Sequence, residues 1–147
     1  MKYEKYHIEA FSSFLKYEFV SKGPNGHIRK QVIFRQTENA RVYNLGFGDV
    51  DDESGEINDI TVTNNNDSQK ILATVGLTVL HFFEKNPDKY VFAIGSTQAR
   101  TRLYRMGISN NLTEIAEKFE IFGYKGEKWE NFKKETDYQA FLIRKIS

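Results

Sequence analysis

The chain contains no cysteine. That excludes disulfide bridges, thiolate zinc sites and a cysteine nucleophile, and with them a disulfide-stapled secreted scaffold. Only two prolines occur, and each falls where a pattern breaks: Pro24 in the turn-rich KGPNG, and Pro87 after Asn86 at the end of a helical run. There is no charge excess to speak of, the net charge being +1, so no global field pulls the protein onto polyanions and any nucleic-acid site must be a local patch. No apolar run approaches the length of a membrane span, and MKYEKYHIEAF has no signal-peptide apolar core. A cytoplasmic protein without a membrane partner is expected.

Several motifs are missing as well. The chain has no G-x-x-x-x-G-K-[ST] loop, no G-x-G-x-x-G fingerprint and no G-x-S-x-G elbow. His7, His27 and His81 are too far apart to form a metal pair, and His81 reads as a packed core or boundary residue of a helix. The acids Asp49, Asp51, Asp52, Glu53 and Glu56 lack EF-hand spacing, since Gly55 falls wrongly from any Asp start, and they read as a solvated hairpin loop. No metal and no cofactor is expected.

What is present describes a folded domain. A length of 147 residues fits a single domain spanning 1–147, and 39% hydrophobic with 28% charged residues separates it from disordered chains. Twelve Phe and eight Tyr favour sheet surfaces and a filled core. In the first half the apolar residues alternate: Tyr17 and Phe19, then Ile28, Val32 and Phe34, then Tyr43, Leu45 and Phe47, then Ile60 and Val62. Period two with polar partners predicts half-buried antiparallel strands, here a four-stranded meander.

The period then changes. Asp67 is the expected N-cap of a helix carrying Ile71, Leu72, Val75, Val79, Phe82 and Phe83, with Ala73, Leu77 and Leu80 making it apolar on more than one side. YVFAI at 90–94 is unbroken and predicts a central strand covered on both faces. Ser96 or Thr97 caps a second helix that should end near Met106, with Gly107 closing it and Ala99, Leu103 and Met106 facing the core. Asn110 or Asn111 opens a short third helix with Leu112, Ile115, Ala116 and Phe119 on one face. EIFGY and YQAFLIRKI follow as strands, with a polar segment anchored by Trp129 and Phe132 between them. The order β-β-β-β-α-β-α-α-β-β is that of an α+β domain.

The join Gly95-Ser96-Thr97 carries the strongest functional hint. Arg100, Arg102 and Arg105 follow within one and a half turns, although cations at a helix N-terminus oppose its dipole. A strand feeding a glycine turn and a helix start presents free amides, Ser96 and Thr97 add hydroxyls, and the arginines add charge. Together Gly95, Ser96, Thr97, Arg100, Arg102 and Arg105 are the expected ligand-binding residues, for a phosphate-bearing ligand or nucleic acid. Arg102 and Arg105 share one flank and Arg100 lies on the other, beside Tyr104. The plainer reading is a turn and cap whose arginines pair with acids elsewhere.

Lys16, Lys22, Arg29, Lys30, Arg35 and Arg41 interleave with Tyr17, Phe19, Phe34 and Tyr43, the composition of a single-strand-binding sheet. The alternation places most of these aromatics with the aliphatics, as core. Two other classes stay open: an enzyme acting on a phosphate-bearing substrate, nuclease-like or toxin-type, with His81 or an acid of the 49–56 loop as its acid or base, and a protein-interaction domain.

The segments KYEFVSKGPNG, VYNLGFGD, NNNDSQKILATV, GSTQARTRLY and YQAFLIRK resemble a conserved bacterial domain family of unknown function, over nearly the whole chain from about residue 17. The resemblance implies a self-contained domain and brings no activity with it. Four strands followed by a helix are also similar in topology to half of a PUR or Whirly-type domain, which implies nucleic-acid binding.

Overall fold

The alternating segments pair in the register their apolar residues demand. A computed structural model describes residues 3–58 and 65–146. Strand β1 (Glu9–Phe11), β2 (Lys16–Gly23), β3 (Gly26–Gln36) and β4 (Val42–Val50) form an antiparallel meander. Tyr17 lies opposite Val32, Val32 opposite Phe47 and Phe34 opposite Leu45, so one face of the sheet is apolar. The strand expected around Ile60 and Val62 is represented by β5 (Ile57–Asn58), which pairs with the end of β4; Ile60 and Val62 themselves lie outside the described residues.

Helix α1 (Ser68–Lys85) crosses that apolar face and returns the chain to β6 (Tyr90–Ala93), which runs parallel to β4. Helices α2 (Gln98–Asn110) and α3 (Leu112–Ile115) follow, then β7 (Phe119–Lys125), β8 (Lys128–Asn131) and β9 (Ala140–Lys145). The sheet order is β1-β2-β3-β4-β6-β9-β7-β8, with β5 on β4. The fold is α+β, and among the described residues no second unit of four strands and a helix repeats the first. Among the described residues, too, no helix is long and apolar enough to cross a membrane.

Aromatic rings fill the space between α1 and the sheet. Phe34 stacks on Phe82 at 4.6 Å, Phe82 meets Phe83 edge-on at 5.4 Å, and Phe83 tilts against Phe119 at 5.1 Å. Such contacts add about 0.5–1.5 kcal/mol each beyond the area they bury. His81, half-buried, sits edge-on to the fully buried Tyr17, consistent with a boundary histidine.

Tyr17 has no partner for its buried hydroxyl. Burial, with a smaller contribution from Glu84, pushes its pKa up to about 12 from an ordinary 10. Because burial disfavours the phenolate, the fold keeps its full stability below pH 10 and loses part of it as pH rises through 12. Tyr17→Phe should therefore raise stability by about 1 kcal/mol at neutral pH, by removing an unsatisfied polar group, and should flatten the alkaline limb of unfolding between pH 10 and 12. Urea melts of both proteins across that range check this, and a less stable phenylalanine variant would contradict it.

Several sequence expectations need correction. Strand β6 is central but covered unevenly: Val91 and Ala93 are buried, whereas Tyr90 and Phe92 on the other face are half-buried, with Phe92 against Trp129, and Ile94 just beyond the strand is 46% exposed. Helix α2 does not stop at Met106. It continues to Asn110 with Gly107 inside, because a Cβ there would lie 3.3 Å from Leu72 Cδ2 and hold α2 off α1. Its inward face is not Ala99, Leu103 and Met106. Arg100 and Tyr104 are its buried residues, and Met106 is exposed. Phe119 belongs to β7 rather than to α3. The polar segment after EIFGY contains a strand, β8, joined to β7 through Gly126 and Glu127, both at positive φ (57° and 63°). Two such residues form the primed turn that matches strand twist, although Gly-Glu lacks the usual Asn-Gly signature.

Candidate anion-binding site

Strands β4 and β6 are the parallel pair, and chain leaving their carboxyl ends leads to the N-termini of α1 and α2. A crevice outside the carboxyl ends of parallel strands is where open α/β sheets hold ligands. Near this end the in-facing positions of the meander turn polar. Ser21 follows Tyr17 and Phe19 on β2, Lys30 precedes Val32 and Phe34 on β3, and Asp49 follows Leu45 and Phe47 on β4; all three are buried. Lys30 is only 4% exposed and forms an ion pair with Asp49, its partner across the ladder. Asp49 is thus a buried partner of a lysine and not part of a solvated loop.

Ser21 connects the sheet to the start of α1. Its hydroxyl and that of Tyr6 each donate to Asp67 Oδ2 at 2.6 Å, while Asn65 Nδ2 donates to Ser21 Oγ at 3.1 Å. Asp67 occupies the N-cap position, as expected, but caps no amide with its side chain. Burial and the Asp67 carboxylate both hold the Tyr6 phenol above its ordinary range. The Tyr6 ring begins an aromatic row across the sheet: Lys70 Nζ lies 4.2 Å over Tyr6, Tyr6 stacks on Phe19 at 5.7 Å, and Phe19 on Phe47 at 6.2 Å.

Arg100 closes this row. Its guanidinium carbon is 4.9 Å from the centre of the Phe47 ring, and Nη1 donates to the Phe47 carbonyl at 2.5 Å. The residue is 3% exposed, its Nε has no partner, and among the described residues no carboxylate pairs with it. Asp49 offsets Lys30, but among the described residues no acid offsets Arg100. A buried cation held by one carbonyl and one ring face keeps much of its desolvation cost.

The Gly-Ser-Thr join is tightly built. Gly95 N–H donates to Thr101 Oγ1 at 2.9 Å, and Thr97, the N-cap of α2, accepts from the Arg100 amide through Oγ1 at 3.1 Å. The Gly95 amide and the Thr97 hydroxyl oxygen are therefore engaged within the protein. The amides of Gln98 and Ala99 have no partner among the described residues, and both residues are exposed, as are Ser96 and Arg102. Arg105 is drawn aside, with Nη1 3.0 Å from Asp137 Oδ1. Of the six expected residues, Ser96 and Arg102 stand exposed around the helix start with Arg100 buried at the same turn. Gly95 and Thr97 shape the turn, and Arg105 points elsewhere. Thr97→Ala should cost about 1 kcal/mol through loss of the cap, read as a lower midpoint in chemical denaturation with an unchanged slope; an unchanged midpoint would show that the cap is not needed.

The aromatic residues interleaved with the basic ones of the first strands mostly face inward. Tyr17, Phe19 and Phe34 lie under α1, as their alternation implies, and on the other face Glu18 faces Arg29 at 3.2 Å and Lys16 at 4.0 Å. Sequence reasoning did not single out the Lys30–Asp49 pair. The signal was available, because extending the in-facing parity of Val32 and Phe47 by one step lands on both residues.

The fold defines a class: an α+β domain whose mixed sheet is covered by helices. The chain belongs to a family of unknown function, DUF6934, whose model matches residues 2–146. No curated protein and no solved structure matches it.

Proposed function

We propose that the chain is a small cytoplasmic module that binds an anionic ligand at the N-terminus of α2. The observation that carries this reading is Arg100, a buried guanidinium with an orphaned Nε and, among the described residues, no acid to compensate it. Its charge sits at the helix end, where the amides of Gln98 and Ala99 already carry partial positive charge. A phosphate or carboxylate on those amides, with Arg102 at its side, offsets both. This also accounts for arginines at a helix start, where they otherwise oppose the dipole.

A small phosphate- or carboxylate-bearing ligand fits better than a nucleic-acid strand. One cationic turn holds one anionic group, whereas a strand needs a charged track with exposed stacking rings along it. The rings of β2 and β3 are in the core.

Titration with inorganic phosphate by calorimetry tests the reading. Arg102→Ala should weaken binding about tenfold without lowering thermal stability, and raising the salt concentration should weaken it further. Phosphate binding that is indifferent to both would overturn the proposal.

A further inference from the structure

A second feature lies away from the α2 start. Between α1, α2, α3 and the sheet there is a cavity of about 280 Å³. Its wall is apolar: Leu72 and Val79 from α1, Ile108 from α2, Ile115 from α3, and Phe119 and Ile143 from the strands. Gly76, Ala93 and Gly107 also line it, and leucine-sized side chains at those places would fill much of the space. Charged residues occur only on the α3 side, where Glu114, Glu117 and Lys118 form an exposed rim.

Protein interiors are packed like organic crystals, with few voids larger than a water molecule. Water gains little from an apolar space, which needs two to four polar partners to hold it well. A cavity of about 150 Å³ with such walls takes a benzene ring. A space of 280 Å³ has room for about twice that. The surplus apolar surface of α1 has the same origin: its Ala73, Phe82 and Phe83 serve the core, while Leu72, Val79 and Leu80 border the cavity.

We infer that this cavity is a binding site for a small, neutral, mainly apolar molecule of about ten carbons, entering past the rim of α3 with any hydroxyl left at that rim. Neutrality follows from the wall, whose apolar side chains offer a buried charge no compensating partner. Nothing here depends on Arg100 or on phosphate, and the two sites are read in separate titrations.

Decan-1-ol is the probe, titrated into the whole chain by calorimetry and by methyl NMR. The expected result is saturable one-to-one binding with a negative heat-capacity change, nuclear Overhauser contacts from the alkyl chain to methyls of Leu72, Val79 and Ile108, and at least tenfold weaker binding of decanoate. Val79→Phe, which fills the cavity from a half-buried position, should weaken decanol binding at least tenfold while keeping the melting temperature. Ala93→Leu gives the same readout if the phenylalanine variant does not fold. The inference is overturned if decanol does not saturate, if its contacts fall on other methyls, or if a folded filled variant binds it as well as the parent. The contacts decide the matter even if neither variant folds.

Discussion

Gly123→Ala is expected to destabilise the domain by about 3–5 kcal/mol, enough to leave many small domains largely unfolded at 37 °C. A Cβ at this position of β7 would sit 2.5 Å from Cε1 and Cγ of Tyr138, inside any normal contact. The ring cannot swing clear, because it is held at both ends. Tyr138 is 3% exposed and packs against Phe132 at 5.4 Å and Phe141 at 6.2 Å. Its hydroxyl donates to Glu130 Oε2 at 2.7 Å and accepts from the Lys133 amide at 3.1 Å. Burial and Glu130 together hold that phenol above its ordinary pKa. Admitting one methyl group therefore means expelling a buried aromatic that pins the segment between β8 and β9. Gly126→Ala is the control: its φ is +57° with nothing near a Cβ, so it should cost only about 1 kcal/mol. Equal midpoints for the two variants would show that the Tyr138 clamp is not what Gly123 serves.

Gly95→Ala should cost about 3 kcal/mol and should also abolish anion binding, a pairing no other substitution above is expected to produce. A Cβ on Gly95 would lie 2.7 Å from both C and Cβ of Arg100 and closer still to the Thr101 amide nitrogen. These are mostly backbone atoms, which cannot rotate away. Relief requires the first turn of α2 to lift from the end of β6. That movement breaks the Gly95 N–H bond to Thr101 and takes Arg100 off the Phe47 carbonyl. Denaturation midpoints and phosphate titration of the same sample separate the two effects. A variant that is destabilised yet binds phosphate normally would dissociate the turn from the ligand.

The strands of the meander were readable because period two maps directly onto burial. Tyr17, Phe19, Val32, Phe34, Leu45 and Phe47 all face α1. The same rule applied to hydrophobic residues alone stopped one step early, at the places where Ser21, Lys30 and Asp49 continue the inward face. Helix α2 failed for a related reason. A helical wheel ranks arginine as outward, but a guanidinium can bury itself when an aromatic face and a carbonyl meet it, and both come from Phe47, which is 53 residues earlier in the chain. Tertiary partners of that kind leave no trace in local periodicity. Strand β8 was hidden by its polar edge position, where few apolar residues are needed. The Gly-Ser-Thr join was visible as a turn and cap. What was not visible is that Thr97 and Thr101 engage the turn from within, which shifts the open amides to Gln98 and Ala99.

Arg100, buried and without an acidic partner among the described residues, is proposed to make the start of α2 a seat for an anion. Crystals soaked in tungstate, a phosphate mimic located by its anomalous signal, test it most directly. A peak is expected within hydrogen-bonding distance of the Gln98 and Ala99 amides, with Arg102 turned toward it, and none in Arg100→Met. Tungstate bound only elsewhere, or bound equally at this place in the methionine variant, would contradict it.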